Sequence, residues 1–321
     1  MSEPIIYPLS NQHPELSAPN PSLPTESSTM KIYIDGKFYD RKDAKISVYD
    51  HGLLYGDGVF EGIRVYHGKV FKLKAHVERL FDSAKAIGIK VPQSQREVAK
   101  AILETVKLSP GCEYLRPIIT RGEGNLGLDP RKCEKPSLIV IADTISLYPK
   151  ECYEIGLNVA TVGTMRNHPA ATNARVKSLN YLNNVMARME ATLSNCQEAL
   201  MLNHKGEVSE CSGDNIFLVK KGEIYTPSID AGILDGITRG CVIHLARKHN
   251  IVVHQCALSR FDVYTAEECF LTGTAAEIVP VATVDGRTIG TGKAGPVTKK
   301  LLGFFKEMTN EPEDKLETIE G

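Results

Sequence analysis

Apolar and polar positions alternate first with the period of strands and then with the period of helices. Lys31 to Ile34 and Lys37 to Tyr39 flank an Asp35-Gly36 turn, and Phe60 to Tyr66 and Lys69 to Leu73 flank His67-Gly68, which predicts two β-hairpins. Leu73, Val77, Leu80, Phe81, Ala84 and Ile87 then recur at three- and four-residue spacing, the signature of a helix that Gly88 terminates. Ser94 and Glu97 stand at capping-box spacing ahead of Val98, Ile102 and Val106, which predicts a second helix. Strands at 113–121 and 137–142 complete a first unit of mixed strands and helices.

Leu147 to Gly156, which contains Pro149 and no periodicity, is the expected interdomain linker. Beyond it the pattern predicts strands at 157–162, 198–202, 215–219, 223–226, 251–257 and 268–272, with helices near 179–194, 238–249 and 296–309. The last helix has Pro296 in its first turn and Val297, Leu301, Phe304, Phe305 and Met308 as its apolar stripe. The expected organisation is a mixed α/β chain of the α+β class. A small N-terminal domain spans 30–146, a linker 147–156 and a larger domain 157–309. Proline-rich residues 1–29 and acidic residues 310–321 are expected to form flexible tails.

Composition narrows the class. With 321 residues and 42% apolar content the chain can bury two cores, and a net charge of -1 with basic residues spread along the chain gives no footprint for nucleic acid or an anionic membrane. Eight scattered cysteines without C-x-x-C spacing read as reduced thiols of a cytoplasmic protein, and the nine histidines show no zinc-type spacing. No membrane span and no metal are expected, and the ligand should be a small molecule.

Gly122-Glu123-Gly124-Asn125-Leu126-Gly127 matches a dinucleotide-binding pattern, but the residues up to Ser137 include Pro130 and Pro136 and leave no room for the helix that such a fold needs. A loop is the better reading, which disfavours a nicotinamide dehydrogenase. Lys177 is the one lysine between Lys150 and Lys205, set where a polar loop gives way to an amphipathic run. A solvated surface amine is the commoner outcome for such a residue, but the downstream sequence supplies partners for a carbonyl cofactor. Glu210, just before the strand that starts near Asn215, suits a protonated pyridine nitrogen, or else is an exposed turn carboxylate. Asp235-Gly236-Ile237-Thr238-Arg239 runs into a helix, where free amides and a hydroxyl gather at a positive end. Thr272-Gly273-Thr274-Ala275 ends a strand with small residues whose amides can face an anion. Tyr55 to Arg64 mixes glycines with Tyr, Phe and Arg, while Arg79 and Arg116 flank buried positions and are candidates to hold an anion.

Taken in order, Tyr55-Gly56-Asp57-Gly58-Val59-Phe60-Glu61-Gly62-Ile63-Arg64, Arg175-Val176-Lys177-Ser178-Leu179-Asn180-Tyr181, the Glu210 segment, Gly236-Ile237-Thr238-Arg239 and Gly273-Thr274-Ala275-Ala276-Glu277 resemble the class IV aminotransferases of fold type IV, and among them the branched-chain amino acid aminotransferases. The likeness runs from Lys31 to about Phe305. It implies a two-domain fold with a pseudo-barrel sheet in the larger domain, and pyridoxal 5'-phosphate as cofactor. It also implies a homodimer, with possible higher assembly, acting on amino acids and 2-oxo acids. By resemblance, Lys177 takes the cofactor aldehyde covalently, Glu210 pairs with the ring nitrogen and Tyr181 with the phenolic oxygen. Arg79, Gly236, Ile237, Thr238, Gly273 and Thr274 hold the phosphate side. The Thr274 and Ala275 amides with Tyr114 receive the substrate carboxylate. Phe60, Gly62 and Tyr55 line the side-chain pocket, Tyr55 from across a dimer interface, and Arg64 and Arg116 serve substrate recognition, Arg116 toward the distal carboxylate of glutamate.

Two departures stand out: Tyr181 lies four residues after Lys177, one fewer than in some branched-chain members, and residues 122–136, expected to cover the substrate, differ from several members. The implied reaction is ping-pong transamination of leucine, isoleucine and valine with 2-oxoglutarate. A D-amino acid aminotransferase and a 4-amino-4-deoxychorismate lyase of the same family are the alternatives, and a non-enzymatic binding protein is the rival from another class.

Overall fold

The Asp35-Gly36 turn takes left-handed backbone at both positions, with φ of 45° and 94°. That conformation matches the twist of a two-residue hairpin, and it joins β1 (Lys31–Ile34) to β2 (Lys37–Asp40). The computed structural model describes residues 30–310; the expected tails at 1–29 and 310–321 lie outside the described residues except for Asn310. In chain order there follow α1 (His51–Tyr55), β3 (Gly58–Phe60), β4 (Ile63–Tyr66), β5 (Lys69–Val70), α2 (Leu73–Ala86), α3 (Gln95–Lys107), β6 (Tyr114–Thr120) and β7 (Ser137–Asp143). The sheet order is β2-β1-β7-β6-β4-β5, with β3 also paired to β6. Helices α2 and α3 cover it with the predicted apolar stripes, and Val77, Leu80, Val98 and Ile102 pack on Ile63, Leu115 and Val140. The capping box is present: Ser94 Oγ accepts from the Glu97 amide, and the Glu97 carboxylate accepts from the Ser94 amide at 2.7 Å.

Two expected strands are interrupted. The run 60–66 breaks at Glu61-Gly62 into β3 and β4, which sit one after the other along the same edge of β6. Opposite the break stands Pro117, whose carbonyl accepts from the Glu61 amide at 2.8 Å but which has no N–H to complete the ladder. The run 69–73 stops at Val70, because Lys72 turns left-handed at φ 52° and α2 starts at Leu73.

The second half contains α4 (Cys152–Ile155), β8 (Leu157–Thr161), α5 (Leu182–Leu193), β9 (Glu198–Leu202), β10 (Val208–Cys211), β11 (Asn215–Lys220), β12 (Glu223–Pro227) and α6 (Ile237–Lys248). It closes with β13 (Val253–Cys256), α7 (Arg260–Tyr264), β14 (Glu268–Gly273), β15 (Glu277–Val284), β16 (Arg287–Thr288) and α8 (Pro296–Met308). Nine strands form one sheet in the order β10-β9-β8-β15-β14-β11-β12-β13, with β16 beside β15. Strand β10 returns against β11 and β12, so the sheet curls into a half-barrel. Among the described residues no helix is long and apolar enough to cross a membrane.

The segment 147–156 is not featureless: it contains α4, and Tyr148 is buried in the second core. Strand β15 went unrecognised because a proline in mid-strand argues against one. Pro280 pairs with Phe270 of β14, and the register with β8 starts one residue later, at Val281↔Leu157.

Glu268 at the start of β14 docks α8. Its carboxylate accepts from the Val297 amide at 3.0 Å, the Thr298 amide at 2.8 Å and Thr298 Oγ1 at 2.7 Å, satisfying the free N–H groups of that helix with a negative charge at its positive end. Glu268→Gln turns an amide donor toward those donors. It should lower unfolding stability by roughly 1–3 kcal/mol, measured by chemical denaturation.

Candidate active site

The backbone of Lys177 is clipped to the first sheet before its side chain is placed. Its carbonyl accepts from the Phe60 amide at 2.9 Å, the Leu179 amide donates to the Gly58 carbonyl at 2.9 Å, and Val59 and Ser178 form an isolated bridge. Residues 177–179 thus extend the sheet beside β3, and the Lys177 amide donates to Ser83 Oγ of α2 at 3.2 Å. The ammonium is aimed in turn: Nζ donates to Tyr181 Oη at 2.8 Å and lies 4.6 Å from the centroid of the Phe60 ring. Phe60 and Tyr181 meet edge to face at 4.8 Å, so apolar surface surrounds the amine.

Helix α2 presents His76, Arg79 and Ser83 at three- and four-residue spacing on the side that meets this seam. Arg79 makes a two-pronged bond to the fully buried Glu61, Nε to Oε1 at 2.6 Å and Nη2 to Oε2 at 2.8 Å, and His76 Nδ1 lies 2.8 Å from Oε2. Burial by itself would raise the Glu61 carboxyl, but Arg79 and His76 outweigh it and hold the group well below the usual carboxylate range. Burial pushes His76 down, against the upward pull of the Glu61 carboxylate beside it. The remaining Arg79 nitrogen, Nη1, donates to the Asp235 carbonyl at 2.7 Å, which sets the guanidinium at the start of α6. There Gly236 is the N-cap without a side-chain cap, and among the described residues no acceptor faces the amides of Ile237, Thr238 and Arg239. A cation beside three free amides is a receptor for a dianion. A groove of about 1010 Å³, lined by Arg79, Val176, Asp235, Gly236 and Ile237 among others, opens over it.

Glu210 lies within β10, not ahead of a strand, and it is buried, which rules out the exposed-turn reading. Oε1 accepts from Arg166 Nε at 2.7 Å; Oε2 accepts from Asn215 Nδ2 at 2.9 Å and from the Leu234 amide at 3.0 Å. Burial raises this carboxyl and Arg166 pulls it back, leaving it above its ordinary value. Asn215 also donates to the Leu234 carbonyl at 3.0 Å, which ties β11 to the approach to α6.

Thr272 to Ala276 turn from β14 into β15. Thr272 Oγ1 is buried without a partner, and among the described residues no acceptor faces the Thr274 and Ala275 amides. On the first sheet, Tyr114 Oη stands 2.0 Å from where a Cβ on Gly62 would be. It accepts from Arg116 Nη2 at 3.0 Å. The Arg116 guanidinium lies 4.7 Å from the centroid of the Phe60 ring, with no carboxylate in ion-pair range among the described residues. Arg64 differs: Nη2 pairs with Glu277 at 3.3 Å, an oxygen that Tyr66 Oη also reaches at 2.7 Å. Tyr55 is not brought to the cluster in this chain. Its hydroxyl donates to the Leu126 carbonyl, on an exposed face.

Lys177, Phe60, Tyr181, Arg79, Tyr114 and Arg116 therefore converge, with Glu210 and the two amide-bearing turns on the second sheet. Sequence patterning missed Glu61, His76, Arg166 and Asn215. His76 and Arg79 one turn apart on the buried side of α2 were the available signal, since polar residues on such a face need partners. A primary amine between aromatic rings, a buried carboxylate, and a guanidinium with free amides suit a phosphorylated aromatic aldehyde, so the donor set fits pyridoxal 5'-phosphate.

Residues 58–284 match the family described as amino-transferase class IV. The chain is 50% identical over 280 residues to a Methanocaldococcus jannaschii protein provisionally named branched-chain-amino-acid aminotransferase, covering 87% of this chain and 96% of that one. Among solved structures, the branched-chain aminotransferase of Thermoproteus uzoniensis with norvaline superposes with a TM-score of 0.82 at 39% identity, covering 87% of this chain and 94% of that one. The T.th. branched-chain amino acid aminotransferase with pyridoxamine 5'-phosphate gives a TM-score of 0.83 at 36% identity over 88% of this chain and 94% of that one.

Because Glu61 is held ionised, its contribution to stability is complete above the unfolded carboxylate pKa and is lost only as pH falls through its depressed folded value. Glu61→Gln should therefore unfold more easily than the parent at neutral pH, by about 3 kcal/mol. The deficit should shrink in strong acid, as followed by denaturation at a series of pH values.

Proposed function

Since the chain belongs to the class IV aminotransferases, we propose that it transfers the amino group of branched-chain L-amino acids, leucine, isoleucine and valine, to 2-oxoglutarate, yielding branched 2-oxo acids and L-glutamate, with pyridoxal 5'-phosphate as cofactor. The observation that carries this reading is the Lys177 amine, 2.8 Å from Tyr181 Oη and against the Phe60 ring, in the same cluster as the Arg79 and α6 amide cradle. When bound, the cofactor supplies an electron sink that stabilises negative charge at the substrate α-carbon. Lys177 Nζ anchors the cofactor and then moves the α-proton, aimed by Tyr181 Oη. Glu210, fixed by Arg166, Asn215 and the Leu234 amide, holds a proton on the ring nitrogen. Arg79 with the amides of Ile237 and Thr238 binds the phosphate, and Thr274 closes that side.

Substrate carboxylate is received by the Thr274 and Ala275 amides and Tyr114. Phe60 walls the aliphatic pocket, and Gly62 leaves the space that the Tyr114 hydroxyl fills. Arg116, without a carboxylate partner of its own, accepts the distal carboxylate of glutamate, whose unpaired burial would cost several kcal/mol. Arg64, paired with Glu277, shapes the pocket rather than binding an anion directly. A methylene in such a pocket discriminates by only about 1–3 kcal/mol, so the three branched side chains are handled together.

A homodimer completes the site. Leu182, Val185, Met186, Met189 and Leu193 make an apolar stripe on α5, exposed by 70%, 52%, 50%, 61% and 81%. Such a continuous face suits burial against a second copy, and exposed Tyr55, Leu126 and Leu128 then reach toward the neighbouring pocket. We take residues 30–146 and 157–309 as two lobes joined by 147–156, with 122–136 covering the substrate. Unpaired thiols, Cys112, Cys152, Cys211, Cys241 and Cys269 among them buried, suit the cytoplasm.

Borohydride should fix the cofactor of the yellow holoprotein onto Lys177, and Lys177→Ala should lose transamination. L-leucine added alone should convert the chromophore to its amine form; faster conversion by D-alanine would overturn the stereochemical assignment. Met189→Glu should shift the protein toward monomer in sedimentation and lower activity in parallel.

A further inference from the structure

Asp214, at the turn into β11, has no part in the roles above, yet its contacts fix its protonation. Tyr148 Oη stands 2.9 Å from Glu198 Oε2 and 2.9 Å from Asp214 Oδ2. A phenol has one proton to donate, so with both carboxyls ionised one of these contacts would set lone pair against lone pair. A second proton must reside on one of the two acids. Glu198 is provided for: it accepts from Arg188 Nη1 at 2.9 Å, the Ala199 amide at 2.7 Å, the Ser212 amide at 3.1 Å and Ser212 Oγ. For the Asp214 side chain, Tyr148 is the one hydrogen-bond partner among the described residues. The titratable groups that face it are Glu198 on β9, Glu210 and Cys211 on β10, Tyr148 and Tyr153 in the linker, and Arg188 on α5. Arg188, the one cation in that set, is bonded to Glu198. The consistent arrangement has Asp214 O–H donating to Tyr148 Oη and Tyr148 O–H donating to Glu198.

The other Asp214 oxygen lies against the substrate turn, since a Cβ on Gly273 would stand 1.9 Å from Oδ1. We propose that Asp214 is a positioning residue kept as a neutral carboxylic acid, and that its neutrality allows the turn from Gly273 to Ala276 to hold an anion on its free amides. The proposal rests on the reading of that turn as the receptor for the substrate carboxylate. An ionised Asp214 would put a negative charge directly behind those amides and repel the ligand through a medium that screens poorly. Burial first, and then Glu198, push Asp214 up to about 7, so the neutral form prevails below neutrality and the ionised form above it.

The test uses the holoprotein and 4-methylpentanoate, a carboxylate without an amine, titrated by calorimetry from about pH 6 to about pH 8.5, a range that brackets the value of about 7 for Asp214. Wild-type affinity should fall by about tenfold more than that of Asp214→Asn across this range, the linkage counterpart of a one-unit displacement of pKa by the bound anion. The asparagine amide donates to Tyr148 as the acid does but cannot ionise. Infrared difference spectra over the same range should show a carboxylic C=O band lost in the wild type and absent in the variant. Tyr148→Phe, which removes the hydroxyl that Asp214 and Glu198 share, should displace the inflection from its wild-type pH and serves even where Asp214→Asn fails to fold. Superimposable pH profiles, or no carboxylic band in the wild type, would overturn the proposal. Failure of the wild type to bind 4-methylpentanoate at any pH, with the infrared band present, would instead remove the assignment of the turn, and the proposed consequence of neutrality with it.

Discussion

The hydrogen bond from the Phe60 amide to the Lys177 carbonyl joins the two halves of the molecule at the residue whose side chain is expected to carry the chemistry. Without it the polar loop that ends at Lys177 would be free of the first sheet, and the amine would have no fixed origin. With the return bond from Leu179 to Gly58 it makes 177–179 an addition to β3. Position on a sheet is accurate in a way that position on a loop is not, because neighbouring strands fix register. The same seam delivers the Phe60 ring and, through the break at Glu61-Gly62, the carboxylate that aims Arg79. One short edge strand therefore sets the amine, one wall of the pocket and the cation of the anion cradle.

Around that seam three buried acids meet three different surroundings. Glu61 has Arg79 and His76 and is held ionised; Glu210 has Arg166 against heavier burial and sits above its ordinary value; Asp214 has only a shared phenol and rises to about 7. Asp214 stands apart because no cation or N–H group among the described residues reaches its carboxyl; Glu61 and Glu210 are each reached by three N–H groups and differ in that Arg79 makes a two-pronged bond to Glu61 while Arg166 makes a single one to Glu210. The gradient also matches the tasks proposed for them. A fixed negative charge aims a guanidinium, a raised carboxyl shares a proton with a ring nitrogen, and a neutral acid lies behind a turn that receives an anion.

Much of this was legible in the residue order. The periods of α2, α3 and α8 and the capping box at Ser94 depend on contacts within a few residues and appear where the local pattern places them, and α6 begins at Ile237, one residue ahead of the expected 238. Strands β10 and β15 were missed because their identity depends on distant partners: Val208–Cys211 is too short to show alternation, and Glu277–Val284 carries a proline whose acceptability depends on where β8 begins. In the site, Lys177 stood out as a lone lysine at the end of a polar loop, and Glu210 and the amide turns stood out because their flanking small residues are local signals. Glu61 lies inside the Tyr55–Arg64 motif but gave no signal of its own, since its partners His76 and Arg79 are reached only by folding α2 onto the sheet. Asp214 was silent for the same reason, Tyr148 and Glu198 being brought together by the second core.

The glycines of the site explain why so much of its recognition is left to backbone. At Gly62, Gly236 and Gly273 the place of a Cβ is taken by a polar atom of another element: Tyr114 Oη at 2.0 Å, Asn215 Oδ1 at 2.0 Å and Asp214 Oδ1 at 1.9 Å. The requirement at these positions is close approach rather than an unusual φ, because none of the three has positive φ. Each glycine lets a side chain press against the main chain from behind, and at Gly236 and Gly273 the amides that follow are left pointing forward without partners. A cradle of amides is rigid because its members belong to a helix start and a strand end, and it carries no counter-charge that would have to be displaced when an anion arrives. Its affinity is therefore governed by whatever charge stands immediately behind it, which makes the protonation of the carboxyl behind Gly273 a property of the anion site itself.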